Sequence, residues 1–292
     1  MVRKAVIPVA GLGTRVLPAS KAIPKEMLPV VDKPAIQFVI EEAISPGIKE
    51  IILITRNGKE SIENHFDKHY ELEAELEKKN KTAILESVKD ILPADVTLLS
   101  IRQPEAKGLG HAVLCAAAAV GDEDFAVLLP DVLVDCDDSK IHDLTQMIQN
   151  FQQEAACQVM VEQVADEDIS KYGIADCSSA PQAGTSASVT GFVEKPDQDK
   201  APSNLAVVGR YIFPARIMDL LKDTQPGAGN EIQLTDAMDT LLNEQAMSVY
   251  RMSGKTFDCG NKAGYVEAVL NFALKHPETR EPTRTLIKNL SL

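Results

Sequence analysis

A chain of 292 residues with 45% hydrophobic content is long enough to bury a large core as one α/β unit with insertions. Its formal net charge of −13, with 4% aromatics and no Trp, excludes the basic or stacking surface that nucleic acid requires. No run approaches the ~20 apolar residues of a membrane span, and the start lacks the small-residue cleavage site of a secretory leader. Cys115, Cys136, Cys157, Cys177 and Cys259 form no CxxC or CxxH pair. Reduced thiols in a cytoplasm are therefore expected, without structural zinc.

In chain order, Val6-Ile7-Pro8-Val9 reads as a first strand opening into Ala10-Gly11-Leu12-Gly13-Thr14-Arg15. Pro18, Pro24 and Pro29 predict that residues 16–30 stay extended. A helix follows over 34–45, with Pro34 in its first turn and Ile36, Val39, Ile40, Ala43 and Ile44 on one stripe. Residues 50–55 form an apolar strand of the kind buried on both faces. The charged stretch 60–90, clearest at 71–79, predicts a helical insertion outside the main sheet. Strands at 96–101 and 125–129 flank a small-residue helix at 110–118, and a helix fits 140–153. This alternation predicts an α/β fold with a doubly wound, mostly parallel, Rossmann-like sheet.

Beyond it the pattern changes. Residues 157–164, 173–177, 188–194 and 205–213 read as strands with few helices between, a small mixed β region after the core. Residues 178–188 read as a hairpin loop rather than a boundary, so residues 1–292 are expected to form a single domain. A helix over 231–244 carries Leu234, Ala237, Met238, Leu241 and Leu242 on one face. A last strand at 249–252 and a helix at 261–275 precede a tail that reads, beyond Pro277, as a loose end or an oligomer contact. Asn230 is expected to cap the neighbouring helix start.

A strand that opens into glycines and then cations, Arg15 and Lys25, is a cradle for phosphate, since glycine lets the backbone come close to a ligand. The loop is not a dinucleotide fingerprint, because Val16 stands where the third glycine belongs, nor is it a P-loop. Asp135, Asp137 and Asp138 lack the Gly and distal Glu of a calcium loop and read as a solvated loop. His65 and His69 have helical spacing but no third ligand.

The segment GLGTRxLPxxKxxPKEMLPVxxKPxIQ, from Gly11 to Gln37, resembles the signature of the nucleotidyltransferases that make sugar nucleotides. The stretches 103–112, 129–132, 193–196, 203–206, 208–211, 231–237 and 257–262 extend the resemblance along essentially the whole chain. It is strongest to the bacterial branch that joins UTP to glucose 1-phosphate, giving UDP-glucose and pyrophosphate.

The resemblance implies Mg2+ held by Asp131 and Asp258, both beside strand ends where open α/β sheets bind ligands. It implies Arg15 and Lys25 on the β- and γ-phosphates, and nucleotide contacts from Ala10, Gly11, Gly13, Thr14, Glu26, Gln103 and Gly108. Gly173 and Glu194 would meet the sugar, and Lys195 its phosphate. Adjacent strand residues face opposite ways, so Glu194 and Lys195 can share a site only if the strand end twists or bulges, which Pro196 favours. Arg15, Lys25 and Lys195 are the expected catalytic cations, and no side-chain nucleophile is needed. The expected assembly is a cytoplasmic homo-oligomer, dimer or tetramer. Two alternatives stay open: a thymidylyltransferase using dTTP, and a catalytically silent partner of an active homologue.

Overall fold

The computed structural model describes residues 1–89, 91–136 and 141–290. Its strands are β1 (Lys4–Pro8), β2 (Pro29–Val30), β3 (Lys33–Pro34), β4 (Glu50–Thr55), β5 (Thr97–Arg102), β6 (Phe125–Leu128) and β7 (Val132–Asp135). They continue as β8 (Cys157–Gln163), β9 (Gly173–Cys177), β10 (Thr185–Glu194), β11 (Leu205–Phe213), β12 (Met247–Arg251) and β13 (Lys255–Asp258). The helices are α1 (Ala35–Ile44), α2 (Glu60–Phe66), α3 (Tyr70–Lys78), α4 (Thr82–Lys89), α5 (Gly108–Cys115) and α6 (Ala117–Val120). After them come α7 (Asp143–Glu154), α8 (Arg216–Asp223), α9 (Leu234–Leu242), α10 (Lys262–Lys275) and α11 (Arg280–Asn289).

A nine-stranded sheet runs in the order β5-β4-β1-β6-β11-β8-β12-β10-β9. Its first four strands are parallel, and only β10 and β11 oppose the common direction in this sheet. The central strands are apolar on both faces because both are covered. On β4, Ile51 and Leu53 join the cluster built with α1, whereas Ile52 and Ile54 join the one built with α5, α8 and α9. Each such side chain, fully buried, contributes about 1.5–3 kcal/mol. The chain lays down β1, β4 and β5 in one direction and then returns to place β6 on the other side of β1. That reversal is a topological switch point, and the crevice beyond the carboxyl ends of β1 and β6 is where such sheets take ligands.

Several sequence expectations are corrected. The mixed β region continues the main sheet, because β11 pairs with β6 on one side and β8 on the other. Residues 16–30 are not extended. They wind into one-turn 3-10 helices, Thr14–Val16, Ala19–Lys21 and Lys25–Met27, since Pro18 and Pro24 shorten helices without preventing a first turn. Of the two readings of the tail, the loose end gives way to the helix α11, which satisfies its backbone bonds locally and leaves Leu286, Ile287 and Leu290 exposed. Asn230 takes a left-handed backbone (φ 59°) ahead of α9, whose N-cap is Gln233. Asp135 is no solvated loop residue, being held by Lys275 and Asn271, while Asp137 and Asp138 lie outside the described residues. The short strands β7 and β13 and the helix α8 are additions to the sequence reading. Four-residue strands are too brief for a period-2 pattern to register.

Candidate active site

A cleft of about 1160 Å3 opens at the switch point, with Arg15, Asp131, Asp258, Tyr172, Glu194 and Lys195 on its walls. The loop after β1 forms its first lip. Gly13 takes a left-handed backbone (φ 66°), and a Cβ there would come within 3.2 Å of Ser20 Cβ and 3.3 Å of Lys25 Cβ. Glycine thus lets the turn carrying Lys25 fold back against the loop, where Ser20 Oγ donates to the Gly13 carbonyl at 2.6 Å. The Lys25 side chain then passes Gly11, its Cε 3.8 Å from where a Cβ would sit.

The loop after β6 supplies the floor. Lys25 Nζ donates to Asp131 Oδ2, and both side chains are largely buried. Arg15 lies 3.6 Å from Asp131 Oδ2 and donates to Asp258 Oδ2 at 3.4 Å. The β7–β13 ribbon brings the two carboxylates together by setting Asp258 opposite Val132, and Cys259 N–H donates to the Asp131 carbonyl at 2.7 Å. Gly260 N–H and Asn261 Nδ2 donate to the Asp258 carboxylate at 2.8 and 3.0 Å. Asn261 also caps α10 by accepting from Gly264 N–H at 2.9 Å. A Cβ on Gly260 would sit 2.7 Å from both Asp258 Oδ1 and Arg15 Nη2, and closer still to Asp131 Oδ2. The absent side chain is the space in which these charges meet. Burial, with Asp131 and Asp258 beyond it, pushes the neighbouring Cys259 thiol up to about 12, so it is no nucleophile.

The opposite wall carries the second pair. Gly173 faces Glu194 across β9 and β10, and a Cβ there would lie 3.1 Å from Glu194 Oε2. Lys195 has a left-handed backbone (φ 45°) and donates its N–H to the Tyr172 carbonyl at 3.0 Å. That twist breaks strand alternation at the strand end, so Lys195 Nζ lies 3.0 Å from Glu194 Oε1 and both residues line the cleft. Thr235 Oγ1 donates to Glu194 Oε2 at 3.4 Å. Burial, and next to it Asp258, raises the Tyr172 phenol above its ordinary value.

At the outer edge, Gln103 Nε2 donates to the Gly108 carbonyl at 3.3 Å and meets His111 Nδ1 at 3.1 Å. Gly108 (φ 90°) is glycine for space as well as conformation: a Cβ would lie 2.7 Å from Glu231 Cβ and 2.9 Å from the Ile232 carbonyl. Ala10, two residues beyond β1, is buried, while Thr14 is exposed. Glu26 differs from the other expected nucleotide residues. It is fully buried beneath the Lys25 turn, paired with Lys59 at 2.7 Å, and its Oε1 has no partner among the described residues. Desolvation raises its carboxyl and lowers the Lys59 ammonium, against their mutual attraction. His65 Nε2 donates to Gln37 Oε1 at 2.9 Å, while His69 caps α3, so the two histidines serve separate local contacts.

Sequence reasoning missed Lys59, Tyr172, Gly260, Asn261, Arg210 and Glu42. Arg210, Gly260 and Asn261 stand inside the stretches 208–211 and 257–262 and Tyr172 adjoins Gly173, but nothing local marks Lys59 or Glu42. Asp131 and Asp258 fit Mg2+, a hard cation that binds through one or two carboxylates and substrate phosphates.

Residues 4–274 match the family model described as nucleotidyl transferase. The UTP–glucose-1-phosphate uridylyltransferase of Haemophilus influenzae is 53% identical over 291 residues, covering 99% of either chain. Its Escherichia coli K12 namesake is 55% identical over 278 residues, covering 94% of this chain and 91% of its own. Among solved structures, the UTP-bound UGPase of Acinetobacter baumannii has a TM-score of 0.94 at 51% identity, with both chains fully covered. A UDP-glucose pyrophosphorylase complexed with UDP-glucose has a TM-score of 0.85 at 40% identity, covering 94% of this chain and 100% of its own. The chain belongs to the nucleotidyl transferase family, among the UTP–glucose-1-phosphate uridylyltransferases.

Proposed function

We propose that the protein transfers the uridylyl group of UTP to glucose 1-phosphate, releasing pyrophosphate. A phosphate oxygen of the sugar phosphate attacks the α-phosphorus, one P–O bond forms, and the bond to the bridging oxygen of the departing pyrophosphate breaks. No proton need move, so the site has to neutralise charge and hold the two polyanions in line. The meeting of Arg15, Asp131 and Asp258 at Gly260, with Lys25 paired to Asp131, across one cleft from Glu194 and Lys195, carries this reading.

In it, Lys25 and Arg15 stabilise the pyrophosphate as charge develops there, acting as electrostatic donors. Lys195 binds the sugar phosphate while Glu194 accepts from sugar hydroxyls, its carboxylate steadied by Thr235. Gln103 and the backbone at Ala10, Gly11 and Gly108 read the base, with Gly13 and Thr14 shaping the phosphate loop. Asp131 and Asp258 would hold Mg2+, which when bound would offset phosphate charge and orient the triphosphate. Glu26, buried with Lys59, supports the Lys25 turn from below rather than touching the nucleotide.

We further read the protein as a cytoplasmic homo-oligomer, supported by its free cysteines and by the exposed Leu286, Ile287 and Leu290 of α11. No helix among the described residues is long and apolar enough to cross a membrane.

Pyrophosphate release from purified protein, Mg2+ and glucose 1-phosphate tests the reaction with UTP, dTTP, ATP, CTP and GTP in turn. The expected result is strong release with UTP, abolished by EDTA. Equal release with dTTP would demand a broader pyrimidine enzyme, and none with any nucleotide would leave a silent partner.

A further inference from the structure

Arg210 is fully buried on β11, and its partners account for all five guanidinium N–H groups. Nε and Nη2 donate to the two carboxylate oxygens of Glu42, on α1, at 2.9 and 2.7 Å. Nη1 donates to the carbonyls of Leu129 and Gly209 at 3.1 and 3.2 Å, and Nη2 to the carbonyl of Val132 at 2.6 Å. Leu129 and Val132 bracket Pro130 and Asp131. The guanidinium therefore grips the backbone on both sides of the carboxylate at the centre of the cleft.

Local structure turns Arg210 to this task. The register of β11 against β8 shifts between Val207 and Tyr211, an irregularity of the kind that re-aims side chains beside active sites. Gly209, at φ 80°, makes the turn possible and lets the Leu129 side chain pack where a Cβ would collide, 2.6 Å from Leu129 Cγ. Leu129 N–H returns a hydrogen bond to the Gly209 carbonyl at 2.9 Å. A buried ion pair contributes little net stability compared with apolar residues of similar volume, so a role in holding one conformation explains this arrangement better.

We propose that Arg210, held by Glu42, is a positioning residue that fixes the 129–132 backbone so that Asp131 presents its carboxylate to the metal. The proposal rests on the reading of Asp131 as a metal-bearing group. Lysine keeps the charge of Arg210 but lacks the planar fork that reaches Glu42 and both carbonyls together.

The test measures Mn2+ binding to the UTP-saturated protein by electron paramagnetic resonance, alongside kcat, KM for glucose 1-phosphate and thermal melting. Arg210→Lys and Glu42→Gln are compared with Ile148→Ala, a buried change in α7. In folded Arg210→Lys and Glu42→Gln, the Mn2+ dissociation constant is expected to rise about ten- to hundredfold, as loss of groups orienting a ligand does. In the same variants kcat should fall while KM for glucose 1-phosphate holds. Should Arg210→Lys fail to fold, Glu42→Gln alone decides the matter by the same criterion. Wild-type Mn2+ affinity in the folded variants, or an equal loss in Ile148→Ala, overturns the proposal. Wild-type affinity in Asp131→Asn overturns the metal assignment beneath it, a failure distinguishable from the first.

Discussion

Lys25 and Asp131, 106 residues apart in sequence, form an ion pair at the carboxyl ends of β1 and β6. Each is held by its own local device: Lys25 by a single 3-10 turn lying against Gly13, Asp131 by the backbone clamp of Arg210 and by Cys259 N–H. The pair therefore sets the spacing between the glycine loop after β1 and the loop after β6. Removing either member should leave the core intact and disable turnover. For Lys25→Ala, kcat is expected to fall about 10²–10³-fold, the loss typical of one preorganised electrostatic donor. Single-turnover kinetics with circular dichroism as the fold control checks it. A variant with wild-type turnover would remove Lys25 from the mechanism.

Gly260→Ala tests the meeting point of the charges directly. The new Cβ would lie 2.7 Å from Asp258 Oδ1 and Arg15 Nη2, so these groups would have to move apart. A displacement of about 1 Å at reacting groups costs about 10²-fold in rate. The expected outcome is that loss in kcat with little change in melting temperature.

Lys195→Met separates the two substrates. If Lys195 binds the sugar phosphate as proposed, the variant loses a charge-assisted hydrogen bond of about 1.5–3 kcal/mol. KM for glucose 1-phosphate should rise roughly tenfold to hundredfold, while KM for UTP stays near its wild-type value. A rise confined to UTP would move Lys195 to the nucleotide.

Lys59→Met should act through stability and pH. It strands the fully buried Glu26, and breaking a buried pair in this way costs about 3–5 kcal/mol. Desolvation already raises the Glu26 carboxyl above its ordinary 4.5, and the ion pair and hydrogen bond from Lys59 are what hold it down. Without them it rises further. A raised carboxyl favours folding in its protonated form, so that contribution is full below 4.5 and lost as pH climbs through the raised value. Urea melts at about pH 5 and about pH 8 should show the gap to wild type widening at the higher pH. A gap that shrinks with rising pH would contradict the pairing.

Legibility in the sequence followed range. The glycine loop, the apolar strand at 50–55, the helix stripe of α1 and the helical insertion were visible because each is written in neighbouring residues and a fixed period. Extended backbone was misread at 16–30, where proline's ban on long helices hides its tolerance of single turns. Glu26 shows the same limit at the site. Its place beside Lys25 in sequence made it an expected nucleotide residue, yet the turn sends the two side chains in different directions, one to the cleft and one to Lys59.

The sequence by itself determined the α/β alternation through its hydrophobic period, and the nucleotidyltransferase family through the resemblance carried by Gly11–Gln37 and the later motifs, because both are written in neighbouring residues. Tertiary structure alone decided that β11 would enter the sheet between β6 and β8, that a ribbon of β7 and β13 would bring Asp258 to Asp131, and that Arg210 would brace the loop between them. Strand order, ribbon pairing and buried ion pairs join residues far apart in the chain. Their free energy depends on which distant faces pack and which carbonyls remain unpaired, and no window of sequence contains both partners.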